Sequence, residues 1–130
     1  MKASSERDFD PAFLTLVKVR AGALVISADA LFNDRNDQII ALAKQYSVPT
    51  IYEWREAVAA GGLISYGTER LDAFRQSGIL VGRILKGEKP SDLPVLRATK
   101  FELAINLSTA KALGLTVPPG VLSIADEVIE

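Results

Sequence analysis

The hydrophobic pattern of the chain alternates between short continuous apolar runs and longer stretches with apolar residues three or four positions apart. Residues 23–28 and 48–52 are continuous runs, which are typical of strands buried on both faces of a parallel sheet. Residues 36–46 have helical spacing. Because strands and helices alternate along the chain, the sequence predicts an α/β fold, with a mainly parallel sheet flanked by helices.

The same pattern, together with capping residues, predicts the order of the elements. They are a helix opened by Asp10 and Pro11, strand 23–28, helix 36–46, strand 48–52, a short helix in 53–60, strand 63–66, a long helix from Thr68 to Gly87, strand 100–106, a helix capped by Ser108, and a last helical turn before residues 126–130. No internal repeat interrupts the order, so residues 1–130 are predicted to form a single domain.

The long helix is the most strongly patterned element. Thr68 is predicted to be its N-cap, and Gly87 and Pro90 to end it. One face carries apolar or small residues, namely Leu71, Phe74, Gly78, Val81, Gly82 and Leu85. The two glycines lower helix propensity, so they are predicted to mark places where another backbone packs closely.

Composition narrows the possible chemistry. The chain has no cysteine and no histidine, which excludes thiol nucleophiles, imidazole bases and the usual zinc sites. Its 15 basic and 16 acidic residues give a formal net charge of −1, and no basic face suggests nucleic-acid binding. G-x-S-x-G and phosphate-loop motifs are absent. The sequence therefore predicts neither an enzyme nor a cofactor.

Candidate ligand-binding residues follow three predicted strands. Ligands of open parallel sheets bind beyond the carboxyl ends of the strands. Those positions hold two carboxylates, two hydroxyl groups and two aromatic rings, which suit a polar site with a stacking surface; the candidates are Asp29, Glu53, Trp54, Ser65 and Tyr66.

Each candidate also has a structural alternative. Asp29 is equally suited to capping the turn into the next helix. Trp54, the only tryptophan, is more often a core residue than a ligand platform. Tyr66 is the best binding candidate, because the small neighbours Ser65 and Gly67 let a ligand approach the backbone.

Long stretches of the chain resemble the C-terminal part of ABC transporter substrate-binding proteins, in the family that includes tryptophan- and tyrosine-type uptake proteins. The matching segments are ALVISADALFNDRNDQIIALAKQYSVPTIYEWREAVAAGG, GGLISYG, AFRQSGILVGRILKGEKPSDLPV, TKFELAINLSTAKALGLTVPP and ADEVIE. The resemblance covers nearly the whole chain after Ala3.

The resemblance implies one lobe of a type I periplasmic binding protein, in which two α/β lobes close on a small solute. Residues 68–95 would then pack on the first lobe, and the five candidate residues match cleft-facing positions. The partners implied are a small-molecule solute and an ABC permease. The implied location is periplasmic, although the polar start of the sequence lacks the apolar core of a signal peptide, so the chain as written is expected to be cytoplasmic.

Two main hypotheses follow. In the first, the chain is a solute-binding component, or a truncated lobe, that binds a small organic solute such as an amino acid without catalysis. In the second, it is an oligomeric interaction module that has lost solute binding. Exposed apolar residues on the helix in 68–85 would favour a homodimer in either case. A small hydrolase or transferase is a third reading, which the missing His and Cys disfavour.

Overall fold

The computed structural model describes residues 3–97 and 100–130, and Met1, Lys2, Ala98 and Thr99 lie outside the described residues. The strands are β1 (Leu24–Val25), β2 (Thr50–Tyr52), β3 (Ile64–Thr68), β4 (Phe101–Asn106) and β5 (Glu127–Ile129). The helices are α1 (Phe9–Lys18), α2 (Ala30–Asp34), α3 (Asn36–Gln45), α4 (Arg55–Ala59), α5 (Arg70–Leu85), α6 (Leu107–Ala112) and α7 (Pro119–Leu122). Glu6–Asp8 and Pro90–Asp92 are short 3-10 helices.

One five-stranded sheet organises the chain, with its strands in sequential order β1-β2-β3-β4-β5. The pairs β1–β2, β2–β3 and β4–β5 are parallel, and only β3–β4 is antiparallel. The predicted α/β fold with a mainly parallel sheet flanked by helices is therefore confirmed. The antiparallel pair arises because β4 returns along β3 after α5.

The core lies between one face of the sheet and helices α1, α3 and α4. Ile39 and Ile40 of α3 pack with Phe9 and Phe13 of α1, and Tyr52 joins them from the sheet. All five side chains are buried. This burial explains why the apolar positions in 36–46 predicted their helix correctly.

The other face of the sheet carries a row of β-branched residues that crosses all five strands. Val25, Ile51, Ile64, Ile105 and Val128 are successive partners in the strand pairings. Ile105 is fully buried, whereas Val25 is 73% exposed and Val128 is 38% exposed. This face is therefore covered at its centre and open towards both edges of the sheet.

Three predicted caps are wrong, each by one or two residues. Helix α1 begins at Phe9, so Asp10 lies inside it and accepts a 2.9 Å hydrogen bond from the Tyr46 hydroxyl. Thr68 ends β3, and Glu69 precedes α5. Asn106, not Ser108, caps α6, because its side chain accepts a hydrogen bond from the Thr109 amide.

Besides the two 3-10 helices, two short elements were not predicted. Helix α2 fills the gap after Asp29, and β5 lies in residues that were assigned no structure. Strand β5 is only three residues long, and it is placed by a distant contact: the Leu103 amide donates to the Asp126 carboxylate at 2.8 Å, and the Asp126 amide donates to the Leu103 carbonyl at 2.9 Å. A pattern of local residues could not reveal this contact.

Helix α5 ends as predicted but is not packed as predicted. Gly87 adopts a positive φ of 102° just after the helix, a conformation that glycine tolerates best. No residue of α5 is buried. The predicted close backbone contacts at Gly78 and Gly82 are wrong for the described chain, since a Cβ added at either residue would have no neighbouring atom within 4 Å.

Tyr52 predicts a pH dependence of stability. Burial raises the pKa of its phenol from 10.0 to about 12. Between these values the unfolded chain loses the proton while the folded chain keeps it, so stability is fully present below pH 10 and falls as the pH approaches about 12. This one group contributes a fall of up to about 3 kcal/mol in the free energy of unfolding.

Urea denaturation at pH values of about 9 and about 11.5 measures this effect. The Tyr52→Phe variant is the control, because it has no phenol to titrate and should show a smaller fall over the same interval. Equal falls in the two proteins would contradict the assignment to Tyr52.

Candidate functional site

Asp29 lies at the turn between β1 and α2. Its carboxylate accepts a 2.8 Å hydrogen bond from the Leu31 amide and caps α2. The sequence left two roles open for Asp29, capping and ligand binding, and the structure shows the capping role. The residue remains exposed, so capping leaves part of its carboxylate facing solvent.

Glu53 follows β2 and is half-buried against the end of β3. Its Oε2 atom is buried and has no hydrogen-bond partner within residues 3–97 and 100–130. A buried carboxylate oxygen without a partner is costly, so a group that donates a hydrogen bond or carries positive charge would be favoured beside it.

Trp54 precedes α4 and is half-buried. The guanidinium carbon of Arg70 lies 4.3 Å from the centroid of the Trp54 ring and 5.4 Å from that of the Phe74 ring. These distances fit cation–π contacts. Arg70 is also 3.9 Å from the Glu56 carboxylate, a distance that makes this ion pair weak. The contacts with Trp54 connect the start of α5 to the start of α4.

A cavity of about 570 Å³ opens where β1 and β2 end; we call it the strand-end cavity. Its polar and aromatic lining residues are Asp29, Asn33, Asp34, Asn36, Glu53, Trp54, Glu56 and Arg70. The cavity thus combines carboxylates, amides, an aromatic ring and a guanidinium group. Such a set can bind the two charged groups of a zwitterion and stack against an apolar or aromatic part.

The other two predicted site residues do not line this cavity. Ser65 is buried within β3, and its hydroxyl has no hydrogen-bond partner in the part of the chain that the structure describes. Tyr66 is 57% exposed and stacks on Phe101, with ring centroids 5.7 Å apart. The structure therefore brings Asp29, Glu53 and Trp54 together and leaves Ser65 and Tyr66 on the neighbouring strand.

A second cavity, of about 360 Å³, lies on the other side of Trp54, Glu56 and Arg70, which line both cavities. Its far wall includes an ion pair in which Arg55 donates two 2.7 Å hydrogen bonds to Glu127. These bonds raise the pKa of Arg55 above its usual value. The pair joins α4 to β5, and we assign it a structural role.

The described residues include neither a candidate metal site nor a candidate membrane-spanning helix. Residues 3–97 and 100–130 contain no group of three or more acidic, cysteine or histidine side chains able to hold a metal ion. In the same ranges, no helix has the length and apolar character needed to cross a membrane.

Arg70, Asn33 and Asn36 are cavity residues that sequence reasoning missed. Arg70 comes two residues after the end of β3. The predicted strand stopped at residue 66, so Arg70 was not among the positions just beyond a strand end, where ligands of parallel sheets bind. Asn33 lies in α2, which was not predicted, and Asn36 is the first residue of α3, a predicted helix whose start was not linked to the ends of the strands.

A model of the family described as "ABC transporter substrate binding protein" matches residues 3–129. The chain belongs to this family. Its members bind substrates and are not catalysts, and they normally act in the periplasm or outside the cell. Among curated proteins, none matches the sequence.

Solved structures give the same picture of the fold. A conserved domain protein from Vibrio cholerae is 25% identical with a TM-score of 0.89, over 98% of this chain and 43% of that chain. An ABC domain from Streptococcus pneumoniae, in complex with L-Trp, is 25% identical with a TM-score of 0.86, over 98% of this chain and 44% of that chain.

An open, ligand-free substrate-binding protein with adhesive properties from Clostridium difficile is 22% identical with a TM-score of 0.64, over 98% of this chain and 42% of that chain. This likeness supports the fold alone. The fold matches periplasmic binding protein domains, and the chain spans less than half the length of these relatives.

The contact between Arg70 and Trp54 predicts a spectroscopic change. Replacing Arg70 with Ala uncovers one side of the only tryptophan, so its fluorescence should move to longer wavelength and acrylamide should quench it more strongly. Arg75→Ala is the matched control, because the Arg75 side chain is 72% exposed on the same helix. Identical spectra for the two variants would contradict the contact.

Proposed function

We propose that the chain is the solute-binding component, or one lobe of it, of an ABC uptake transporter, and that it binds a small organic solute such as an amino acid without catalysis. The observation that carries the proposal is the strand-end cavity, where Asp29, Glu53, Trp54 and Arg70 lie together. Membership of the substrate-binding family supports the same class of function.

Four carboxylates and one guanidinium group line the cavity, so its net negative charge favours the ammonium group of an amino acid. Glu53 has a buried oxygen without a hydrogen-bond partner among the described residues, and it would accept hydrogen bonds from the ligand's ammonium group, with Asp29 adding negative charge nearby. Arg70 would pair with the ligand's carboxylate. Trp54 would stack against its side chain, which favours an aromatic or other flat group. The relative that was solved in complex with L-Trp makes L-tryptophan the first ligand to test.

Ser65 and Tyr66 belong to the proposed site as a second group. Tyr66 is exposed beside Gly67 at the middle of β3, where its ring is accessible to a ligand or to a second lobe. Ser65 is buried and would act by keeping β3 close to α4. Contact of Asp29 and Tyr66 with the same ligand remains a prediction.

The cleft would be completed by a first lobe, because the solved relatives are more than twice as long as the matched part. We propose that residues 68–95 pack on that lobe. Two observations support this: no residue of α5 is buried, and Leu71, Phe74, Val81 and Leu85 are exposed along one side of it. A lobe covering this stripe would remove several large apolar side chains from water, each worth about 1.5–3 kcal/mol.

A transporter role also implies a partner and a location. The partner would be an ABC permease that receives the solute, and nucleic acid would not be a partner. The location would be the periplasm or the cell exterior, as is normal for the family.

Calorimetric titration of the 130-residue chain with L-tryptophan tests the proposal directly. We expect saturable binding and a ligand-dependent rise in melting temperature. Glu53→Gln removes a charged hydrogen-bond acceptor, so it should weaken binding about tenfold or more. Asp29→Asn should weaken it less, since asparagine still caps α2.

Asp37→Asn is the matched control, because Asp37 is exposed in the first turn of α3 and is not among the residues of the strand-end cavity. No binding of any amino acid, or equal losses in the control and in Glu53→Gln, would contradict the proposed site.

The second candidate function is an oligomeric interaction module without a solute. The exposed stripe on α5 favours it, because a second copy of the chain could cover the same apolar residues that a first lobe would cover. In this case helices in 68–85 from two chains would pair as a homodimer.

Light scattering at micromolar concentration distinguishes a dimer from a monomer. If the stripe mediates dimerisation, Val81→Lys should produce a monomer, because it places a charge among the apolar residues of α5. Gln76→Lys adds the same charge on the opposite side of the helix and should leave the dimer intact. A soluble, cooperative monomer in the unmodified chain would contradict this candidate.

A further inference from the structure

The end of β3 lies unusually close to the turn that leads from β2 into α4. A Cβ added at Gly67 would overlap the carbonyl oxygen of Glu53, and it would lie 3.0 Å from the carbonyl carbon and 3.4 Å from Cγ of the same residue. The nearest obstacle is backbone, which cannot rotate aside as a flexible side chain can. The Glu53 backbone therefore occupies the place that a side chain at position 67 would take.

This crowding is particular to its place in the fold. A Cβ added at Gly22, Gly78, Gly82 or Gly120 would have no neighbouring atom within 4 Å. Gly61 and Gly62 are crowded as well, Gly61 by the flexible end of the Lys44 side chain and Gly62 by the Tyr52 ring and the Ala57 carbonyl. Gly67 alone of these glycines is held against a residue of the strand-end cavity.

Glu53 takes part both in the contact with Gly67 and in the wall of the strand-end cavity. Its backbone lies on β3, its side chain lines the cavity, and its Oε2 atom is buried without a partner in the described ranges. Trp54, the next residue, forms the adjoining wall. Moving the Glu53 backbone away from β3 would move both side chains.

We propose that Gly67 is a positioning residue of the solute site: because it has no side chain, the turn after β2 lies against β3 and the Glu53 carboxylate is held at the wall of the strand-end cavity, where it selects ligands that carry an ammonium group. This inference rests on the proposed function for its ligand. The placement of Glu53 and Trp54 by Gly67 can be tested without a ligand.

The binding test compares L-tryptophan with indole-3-propionate, which lacks the amino group. The quantity of interest is the ratio of the two dissociation constants, because a general disturbance of the site weakens both ligands and leaves the ratio unchanged. Gly67→Ala and Glu53→Gln should each reduce the preference for the amine about tenfold. The double variant should show no further reduction, since both changes act through Glu53.

The test without ligand uses Trp54 as the reporter. Gly67→Ala should change the emission wavelength and the acrylamide quenching of Trp54, because the turn at residues 53–54 must move. Gly78→Ala is the matched control: it adds the same methyl group in open space on α5 and should leave the Trp54 spectrum unchanged.

The outcomes separate the two proposals. If the unmodified chain binds neither ligand, the proposed function fails, and the Trp54 spectra alone decide the role of Gly67. If it binds L-tryptophan and Gly67→Ala keeps the preference for the amine, the positioning role is overturned while solute binding stands. A Gly67→Ala chain that fails to fold, beside a folded Gly78→Ala chain, also overturns it, because the glycine would then serve the whole fold.

Discussion

The close packing of α4 on β3 is the constraint on which the rest of the structure depends. Ser65 of β3 and Ala57 and Val58 of α4 are almost completely buried. Gly67 of β3 lies against the Glu53 backbone, just before α4. Larger residues at positions 65 and 67 would hold the helix away from the sheet. The turn before α4 would then lose its contact with β3, and the strand-end cavity would lose one wall.

A buried asparagine extends this packing to the neighbouring strand. Asn106, at the end of β4, donates a 3.3 Å hydrogen bond to the Val58 carbonyl and accepts one of 2.9 Å from the Thr109 amide. One side chain thus joins β4, α4 and α6. Because an unpaired buried amide is costly, these partners favour a single arrangement of the three elements.

The sequence predicted the parts of the fold that local pattern determines. The helix of residues 36–46 was correct because one side of it is buried in a regular period. The strand of residues 100–106 was also located correctly, but its burial does not alternate: Ala104, Ile105 and Asn106 are all buried, whereas Phe101 is exposed. Strand β5 was missed because three residues carry little pattern and because Asp126 is fixed by Leu103, which is distant in the chain. The N-cap of α5 was misplaced because the pairing of Thr68 with Phe101 extends β3 beyond the point that local capping suggests.

The sequence predicted some of the residues of the candidate site but not all of them. Asp29, Glu53 and Trp54 line one cavity because the ends of parallel strands lie on the same edge of a sheet, and their binding of a ligand stays a prediction. Arg70 was not predicted, since the predicted strand ended at residue 66, whereas β3 continues to Thr68 and brings its end next to Arg70.

Helix α5 differs from the rest of the chain in how its backbone is stabilised. Its sixteen residues include no buried side chain, and Gly78 and Gly82 each cost about 1 kcal/mol of helix propensity relative to alanine. Tertiary burial normally supplies most of the stability of a helix of this length. In the chain alone, we therefore expect α5 to open at a lower free energy than the sheet and α3, so that its amide hydrogens exchange with solvent through local opening while the core stays folded. Fraying of this helix would then be a separate event from the cooperative unfolding of the core.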